Sequence, residues 1–369
     1  MWNLKWRFAK AGISATWGVE KLPEWYANFF REICQAYYYS ASKGSVVFLR
    51  NVSEFISTLV KEYYKANNIE MDFKANEITY PEVPVSKMKK GKYTIMFSGG
   101  KDSLHVLMYL LNDKKVKPQD IQCVYIPNIN KSETHYERQT VEKICTKAKV
   151  KFVVVEVSNS VRINREGHNI GLRDQLLVTL ALPYIIDFQS PTVIFGLHHA
   201  FDKMDAPLFT SHSSAFNCLE LALRNLGVEI KIEPHPSRGI SEIQITRELI
   251  EKYPEYFWMT NSCYRQLNFR ERQHKACQER NPDFKIYHGC GSCLKCLRIN
   301  GILALYESSG NFAARWNMAK EVNNTFVKKY PHDETLLEVV KLLRADVLER
   351  KHSDVSSEST LPVHGEAGV

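Results

Sequence analysis

The chain has 369 residues, 44% hydrophobic and 24% charged, with 49 Lys and Arg against 41 Asp and Glu for a formal charge of +8. That composition excludes collagen-like, low-complexity and wholly disordered chains. The small basic excess suits anionic ligands and is too weak to imply nucleic acid. The longest apolar run, 176–186, is interrupted by Thr179 and Pro183 and reads as a buried helix, with no membrane span expected. Residues 1–10 lack a long apolar core, so no secretory signal is expected. Nine Cys, three of them within seven positions, suit thiols and metal in a reducing cytoplasm better than a disulfide framework.

Residues 1–90 carry 17 of the 42 aromatics, which marks them as a folded, aromatic-rich N-terminal extension. A helix is expected over 54–65, where Phe55, Leu59 and Tyr63 recur at helical spacing. Pro81, Pro84 and the basic Lys87, Lys89 and Lys90 suggest a linker. From residue 93 strands and helices alternate. Strands are expected over 93–97, 122–126, 151–157, 192–195 and 228–232. Helices are expected over 104–111, 134–147, 172–187 and 216–225. This βαβ rhythm predicts an α/β fold: a parallel sheet of about five strands with helices on both faces, its ligands beyond the carboxyl ends of the strands. The domain with this rhythm is expected over 91–300, C-terminal helices over 301–352 and a disordered tail over 353–369.

Between the strand at 93–97 and the helix lies Ser98-Gly99-Gly100-Lys101-Asp102-Ser103. The glycines permit unusual backbone angles and close approach of a phosphate. Amides at a helix N-terminus point at such an anion, and the helix dipole favours it. Ser98 and Ser103 can donate hydroxyl hydrogen bonds. Lys101 can add charge or point to solvent, and Asp102 can hold magnesium or cap the helix. The spacing is neither that of a Walker A loop nor G-x-G-x-x-G. It resembles the SGGxDS loop of PP-loop ATP pyrophosphatases, which cleave ATP to AMP and pyrophosphate and have an adenine nucleotide alpha-hydrolase-like fold.

Cys290, Cys293 and Cys296 stand at C-x-x-C-x-x-C spacing, able to turn three sulfurs to one metal. A closed tetrahedral zinc site needs a fourth ligand. Cys263 is the choice, with Cys277 and His288 as competitors and His274 behind them. Four thiolates make the zinc structural. Cys34, Cys123, Cys145 and Cys218 lie in apolar or helical patterns and are expected in the core.

The loop followed by this cluster resembles 7-cyano-7-deazaguanine synthase over about residues 93–300. Gly171-Leu172-Arg173-Asp174 falls where the family has Gly-Arg-Asn, Ser262-Cys263-Tyr264 matches its first zinc ligand, and Leu297-Arg298 with Gly301 matches the segment after the last. The resemblance implies ATP, Mg2+ and Zn2+. It also implies a C–N-bond-forming ligase of queuosine biosynthesis: the carboxylate of 7-carboxy-7-deazaguanine is adenylated, ammonia displaces AMP to give an amide, and a second ATP yields the nitrile. ATP would lie on Ser98 to Ser103, with Lys101, Asp102 and Arg173 as catalytic residues. The sequence departs from the family in its extensions, in Asp174 for the usual Asn, and in Ser211 where the deazaguanine pocket has an aspartate. His198, Asp202, Asp205 and Ser211 are the residues expected at the base.

The resemblance extends to homologues in antiviral defence and implies, for that class, joining of a deazaguanine to a protein amine, which would give residues 1–90 a docking role through their aromatics; a small core or dimer surface is the alternative use of the same rings. A homodimer is compatible with the sequence, a membrane partner is not expected, and nucleic acid is disfavoured. Two other classes remain: a PP-loop tRNA-modifying enzyme, and a nucleotide-binding partner protein without catalysis.

Overall fold

The computed structural model describes residues 1–8, 11–41, 53, 57–59, 88–127, 135–159, 172–196, 213–237, 240–263, 275, 294–306, 333, 335–342 and 345. Contacts divide the chain into two units, Met1–Ser241 with Tyr253–Thr260, and Glu242–Lys252 with Asn261–Val369. Of the expected linker, Pro81, Pro84 and Lys87 lie outside the described residues, as does the tail over 353–369, while Lys89 is described and its N–H bonds the Gln189 carbonyl at 2.9 Å. Of the helix expected over 54–65, residues 57–59 are described and are helical. Among the described residues no helix is long and apolar enough to cross a membrane.

The first unit holds, in chain order, β1 (Trp2–Phe8), β2 (Ala11–Trp17), α1 (Tyr26–Ala41), β3 (Tyr93–Met96), α2 (Lys101–Met108), β4 (Ile121–Tyr125), α3 (His135–Ala148), β5 (Lys151–Val154), β6 (Glu156–Asn159), α4 (Arg173–Phe188), β7 (Thr192–Phe195), α5 (Ser213–Asn225) and β8 (Lys231–Glu233). The short α7 (Pro254–Phe257) returns to it after α6 (Glu242–Lys252), which belongs to the second unit along with α8 (Leu294–Tyr306).

Strands β3, β4, β5, β7 and β8 form a parallel sheet in the order β5-β4-β3-β7-β8. Its three middle strands, β4, β3 and β7, are mostly buried on both faces, which is why they read as apolar runs, while the edge strands β5 and β8 are partly exposed. Thr94, Met96, Gln122, Val124, Val193 and Phe195 share one face by register and alternation. Met96, Val124, Val193 and Phe195 join α4 and α5 in the main core, and Gln122 Nε2 donates to the Tyr184 carbonyl of α4 at 3.2 Å. Ile95, Cys123 and Ile194 turn to the other face, where α2 packs on β3 and β7 and α3 on β4 and β5. There Cys123 hydrogen-bonds Cys145, and burial pushes the Cys123 thiol well above its ordinary pKa. The expected five-strand parallel sheet with flanking helices is therefore observed.

One strand expected over 151–157 is two. Val155 N–H still bonds the Tyr125 carbonyl at 3.0 Å, and the chain then leaves the parallel sheet. As β6 it pairs antiparallel with β2, completing a second sheet in the order β1-β2-β6. The antiparallel pair β1 and β2 thus docks onto a strand that continues directly from the parallel sheet.

Proline chemistry explains how α1 and β2 are held. Pro183 lies inside α4 and has no N–H for the carbonyl four residues back, that of Thr179. Tyr26 Oη donates to that carbonyl at 2.7 Å, and Trp17 Nε1 donates to the neighbouring Leu180 carbonyl at 2.7 Å. Burial raises the Tyr26 pKa well above its ordinary value, so the hydroxyl stays protonated and remains a donor. Tyr184 Oη accepts from Gly18 N–H at 2.9 Å and donates to the Val154 carbonyl at 3.2 Å, tying β2 to the end of β5. Trp17 meets Tyr26 and Phe30 edge-on at centroid distances of 5.5 and 5.7 Å, geometries worth about 0.5–1.5 kcal/mol each.

Trp6, Trp17, Trp25, Tyr26, Phe29, Phe30 and Tyr37 are all buried. These rings are core, and the docking role expected for the N-terminal aromatics does not fall on them. Trp2, 42% exposed, is the large ring at the surface of this described segment.

Changing Tyr26 to Phe leaves the Thr179 carbonyl buried without a donor and lowers stability by about 1–3 kcal/mol. In a Pro183→Ala background the restored amide supplies that donor and the cost shrinks. Denaturant unfolding of the four combinations checks this, and an equal cost in both backgrounds would contradict it.

Candidate functional site

The site is built at the carboxyl end of β3, the middle strand of the sheet. Phe97 N–H closes the last sheet bond to the Val124 carbonyl at 2.9 Å, and the chain turns through Ser98, Gly99 and Gly100 into α2. Gly99 has φ +73, a left-handed conformation that favours glycine. A Cβ there would lie 2.8 Å from Val141 Cγ2 of α3, a stiff branched side chain. Gly100 is the N-cap, extended at φ −82 and ψ 164, and provides no side-chain cap. First-turn amides have no acceptor within their own helix, so the turn leaves the helix dipole aimed beyond the sheet.

The hydroxyls line this turn as expected. Ser103 Oγ donates to the Gly100 carbonyl at 3.0 Å, and the Ser98 and Ser103 oxygens lie 3.4 Å apart. Gly100 N–H points at Ser98 Oγ at 3.4 Å.

The Lys101 side chain does not point to solvent. It is 2% exposed, and its Nζ pairs with the Asp102 carboxylate, itself 27% exposed. The pair offsets much of the cost of burying the ammonium. It also neutralises a carboxylate that would otherwise repel an anion at the helix N-terminus.

Arg173 is the first residue of α4, whose last turn leads directly into β7. A 16-residue helix spans about 24 Å, well beyond the length of a four-residue strand, so Arg173 is carried to the carboxyl side of the sheet. Its Nε donates to the Asp174 carboxylate at 2.7 Å; Asp174 is buried while Arg173 is half-buried. The expected base-site residues His198, Asp202, Asp205 and Ser211 lie outside the described residues.

In the second unit Cys263 and Cys296 pack together, both buried. Asn261 Oδ1 accepts from Cys263 N–H at 3.3 Å, and Asn300 Nδ2 donates to the Cys296 carbonyl at 2.6 Å. Cys290 and Cys293, and the competitors Cys277, His288 and His274, lie outside the described residues. Among the described residues no group of three or more metal-ligating side chains converges. Two residues after Cys296, Arg298 holds Asp333 through Nε at 3.0 Å and through Nη2, and Glu242 through Nη1 at 3.0 Å. Burial alone would lower the Arg298 pKa, but the two carboxylates outweigh it and raise it. Asp333 also accepts from Leu336 N–H at 2.9 Å, so one guanidinium ties α8, α6 and the helix over 335–342 together.

Two features escaped the sequence reading. Gly196, directly after β7, lies against the loop: a Cβ there would sit 2.6 Å from Ser103 N and 2.7 Å from the Asp102 carbonyl carbon. Its signal was a glycine at a strand end, interpretable only once β7 is known to neighbour β3. The second is a buried contact between His105 of α2 and His235, 2.9 Å between Nδ1 and Nε2. His235 stands between Pro234 and Pro236.

Replacing Gly196 with Ala forces a methyl into backbone that cannot move aside. It should cost about 1–3 kcal/mol of stability and weaken anion binding at the loop. Thermal unfolding with phosphate and pyrophosphate titrations checks this; an unchanged protein would show that the close approach is not required.

No model of a known protein family matches the chain, and no curated protein matches it.

Proposed function

We propose that the chain is an AMP-forming, ATP-dependent ligase of the PP-loop type. It adenylates the carboxylate of 7-carboxy-7-deazaguanine or a related deazapurine and passes the acyl group to a nitrogen nucleophile. The observation that carries this reading is the Ser98 to Ser103 turn, glycine-enabled and capless, at the carboxyl end of the middle strand of a parallel sheet. That is where such sheets bind ligands, and it supports an adenine nucleotide alpha-hydrolase-like fold.

A carboxylate oxygen is a poor leaving group at neutral pH. Attack of the carboxylate on the α-phosphorus of ATP forms an acyl–O–P bond and breaks the bond to pyrophosphate. Attack of an amine on the acyl carbon then forms C–N and expels AMP, with the amine proton passing to solvent. The chain's part is to stabilise the departing pyrophosphate with preorganised amides of the α2 first turn and the hydroxyls of Ser98 and Ser103. Lys101, held on Asp102, keeps the local charge from turning negative. Arg173, on the carboxyl side of the sheet, suits the acceptor carboxylate or the nucleotide. Magnesium held through Asp102 would neutralise pyrophosphate charge.

The adjacent buried thiols of Cys263 and Cys296 fit a structural zinc completed by Cys290 and Cys293. The Arg298 network beside them would brace that element. It takes no part in the chemistry.

The test is incubation with ATP, magnesium, ammonia and 7-carboxy-7-deazaguanine, with nucleotides and bases read by mass spectrometry. AMP together with amide or nitrile is expected, and Asp102→Ala should reduce it at least about 100-fold. AMP or adenylate without amide moves the acceptor to a protein amine. No base-dependent AMP overturns the substrate assignment.

A further inference from the structure

The end of the parallel sheet away from the phosphate loop has no role in the reading above. All five strands run the same way, so the segments that lead into them lie at one end. Three of those segments lead into the neighbouring strands β3, β4 and β5. Tyr93 lies level with Ile121, and Gln122 with Lys151. Neighbouring strands are about 4.8 Å apart, so the three strand starts fall within about 10 Å of one another.

Each segment carries three lysines. Lys89, Lys90 and Lys92 precede β3. Lys114, Lys115 and Lys117 precede β4. Lys147 and Lys149 precede β5, and Lys151 opens it. Over 88–92, 113–120 and 147–151 the acids are Asp113 and Asp120, so these short segments hold a charge of +7 against +8 for the whole chain. At the other end of the sheet Lys101 pairs with Asp102, and Arg173 with Asp174. Averaged over the chain the excess is too small to imply nucleic acid. Gathered on one end of one sheet it is a dense basic face.

Four of the nine ammonium groups are engaged. Lys151 pairs with Asp187 at 3.5 Å. Lys92 Nζ donates to the Phe188 carbonyl at 3.0 Å and lies over that ring. Lys147 lies over the Tyr256 ring, and Lys114 over that of Tyr109. Lys89, Lys90, Lys115, Lys117 and Lys149 are exposed and have no ion-pair partner among the described residues. Lys115 and Lys149 hold left-handed backbone, both at φ 56, in positions that favour Gly or Asn. Val116 N–H bonds the Leu110 carbonyl at 2.9 Å and Val150 N–H the Cys145 carbonyl at 3.1 Å, so each stands on a hydrogen-bonded turn. The helix dipole rewards a cation in the last turn of a helix and offers nothing to Lys89, Lys90 or Lys117.

Beside the lysines, the exposed residues of these segments are Gly91, Asp113 and Gln119. A protein partner needs an aromatic, aliphatic or Arg anchor at the centre of its interface, and none is exposed in these segments. A stable membrane anchor needs an apolar group in addition to charge. An unstacked single strand needs rings for its bases. The phosphate backbone of a duplex needs only spaced cations. We propose that this lysine face docks double-stranded nucleic acid through its phosphates, without reading bases. The inference does not rest on the ligase reading, and the two can fail separately.

The test follows binding of a 20-base-pair DNA duplex of arbitrary sequence to the full chain by fluorescence anisotropy. If the five unpaired lysines each meet a phosphate, log K falls with log salt at a slope of about −4.5, a loss of about 500-fold between about 50 and about 200 mM. The variant K89Q/K90Q/K115N/K117Q/K149N, with Asn at the two left-handed positions, should lose most of that slope. The variant K5Q/R7Q/K21Q/R31Q/R224Q removes as many exposed charges from elsewhere in the same unit and should keep it. In the wild type the duplex should also shield these five amines from acetylation, read by mass spectrometry, which needs no variant to fold. Equal weakening of both variants would mean net charge alone and overturns the proposal. So does protection of other lysines in place of these, or binding to phosphatidylserine vesicles with none to the duplex.

Discussion

Everything at the site depends on how closely β3, α2 and β7 approach at one turn. The chain leaves β3 through a left-handed Gly99 that has no room for a side chain beside Val141. It enters α2 against a Gly196 that has none beside the Ser103 amide. Those two absences of a methyl group let the helix start immediately at the sheet edge, with its first-turn amides and the Ser98 and Ser103 hydroxyls on one small surface. The order β5-β4-β3-β7-β8 is what makes Gly196 available, because it sets β7 directly beside β3.

The aromatic-rich segment is fastened by a similarly local constraint. A proline inside α4 leaves the Thr179 carbonyl without its helical donor, and the Tyr26 hydroxyl takes that place. With Trp17 on the next carbonyl and β2 paired to β6, buried side chains from Trp6 to Tyr37 share a core with the α4 and α5 face of the sheet. They pack on α4, the helix that begins at Arg173.

Much of this was legible in the sequence where apolar period and punctuation agreed. The strand into Ser-Gly-Gly, the helices over 134–147 and 172–187 and the strand at 192–195 were expected close to their observed bounds. The failures have physical reasons. Helix α2 starts at Lys101, before the apolar pattern begins, because its first turn is specified by glycine geometry. The run 151–157 is unbroken in pattern, yet Val155 divides it between two sheets, and strand alternation is blind to the partner. Strands β1 and β2 were left unassigned although Trp2, Leu4, Trp6 and Phe8 alternate and Ile13, Ala15 and Trp17 answer them. The burial of Lys101, the fit of Gly196 and the meeting of His105 with His235 are all tertiary. Each joins residues that only the crossover topology brings together.

The central claim is that the turn from Ser98 to Ser103 holds the phosphates of a nucleotide. The most direct measurement is a titration of the 15N-labelled protein with inorganic pyrophosphate, following backbone amides. The account predicts that the amides of Gly99, Gly100, Lys101, Asp102 and Ser103 shift first and together, with saturation. Shifts that leave these five amides still while others move, or no saturable shift at all, would contradict it.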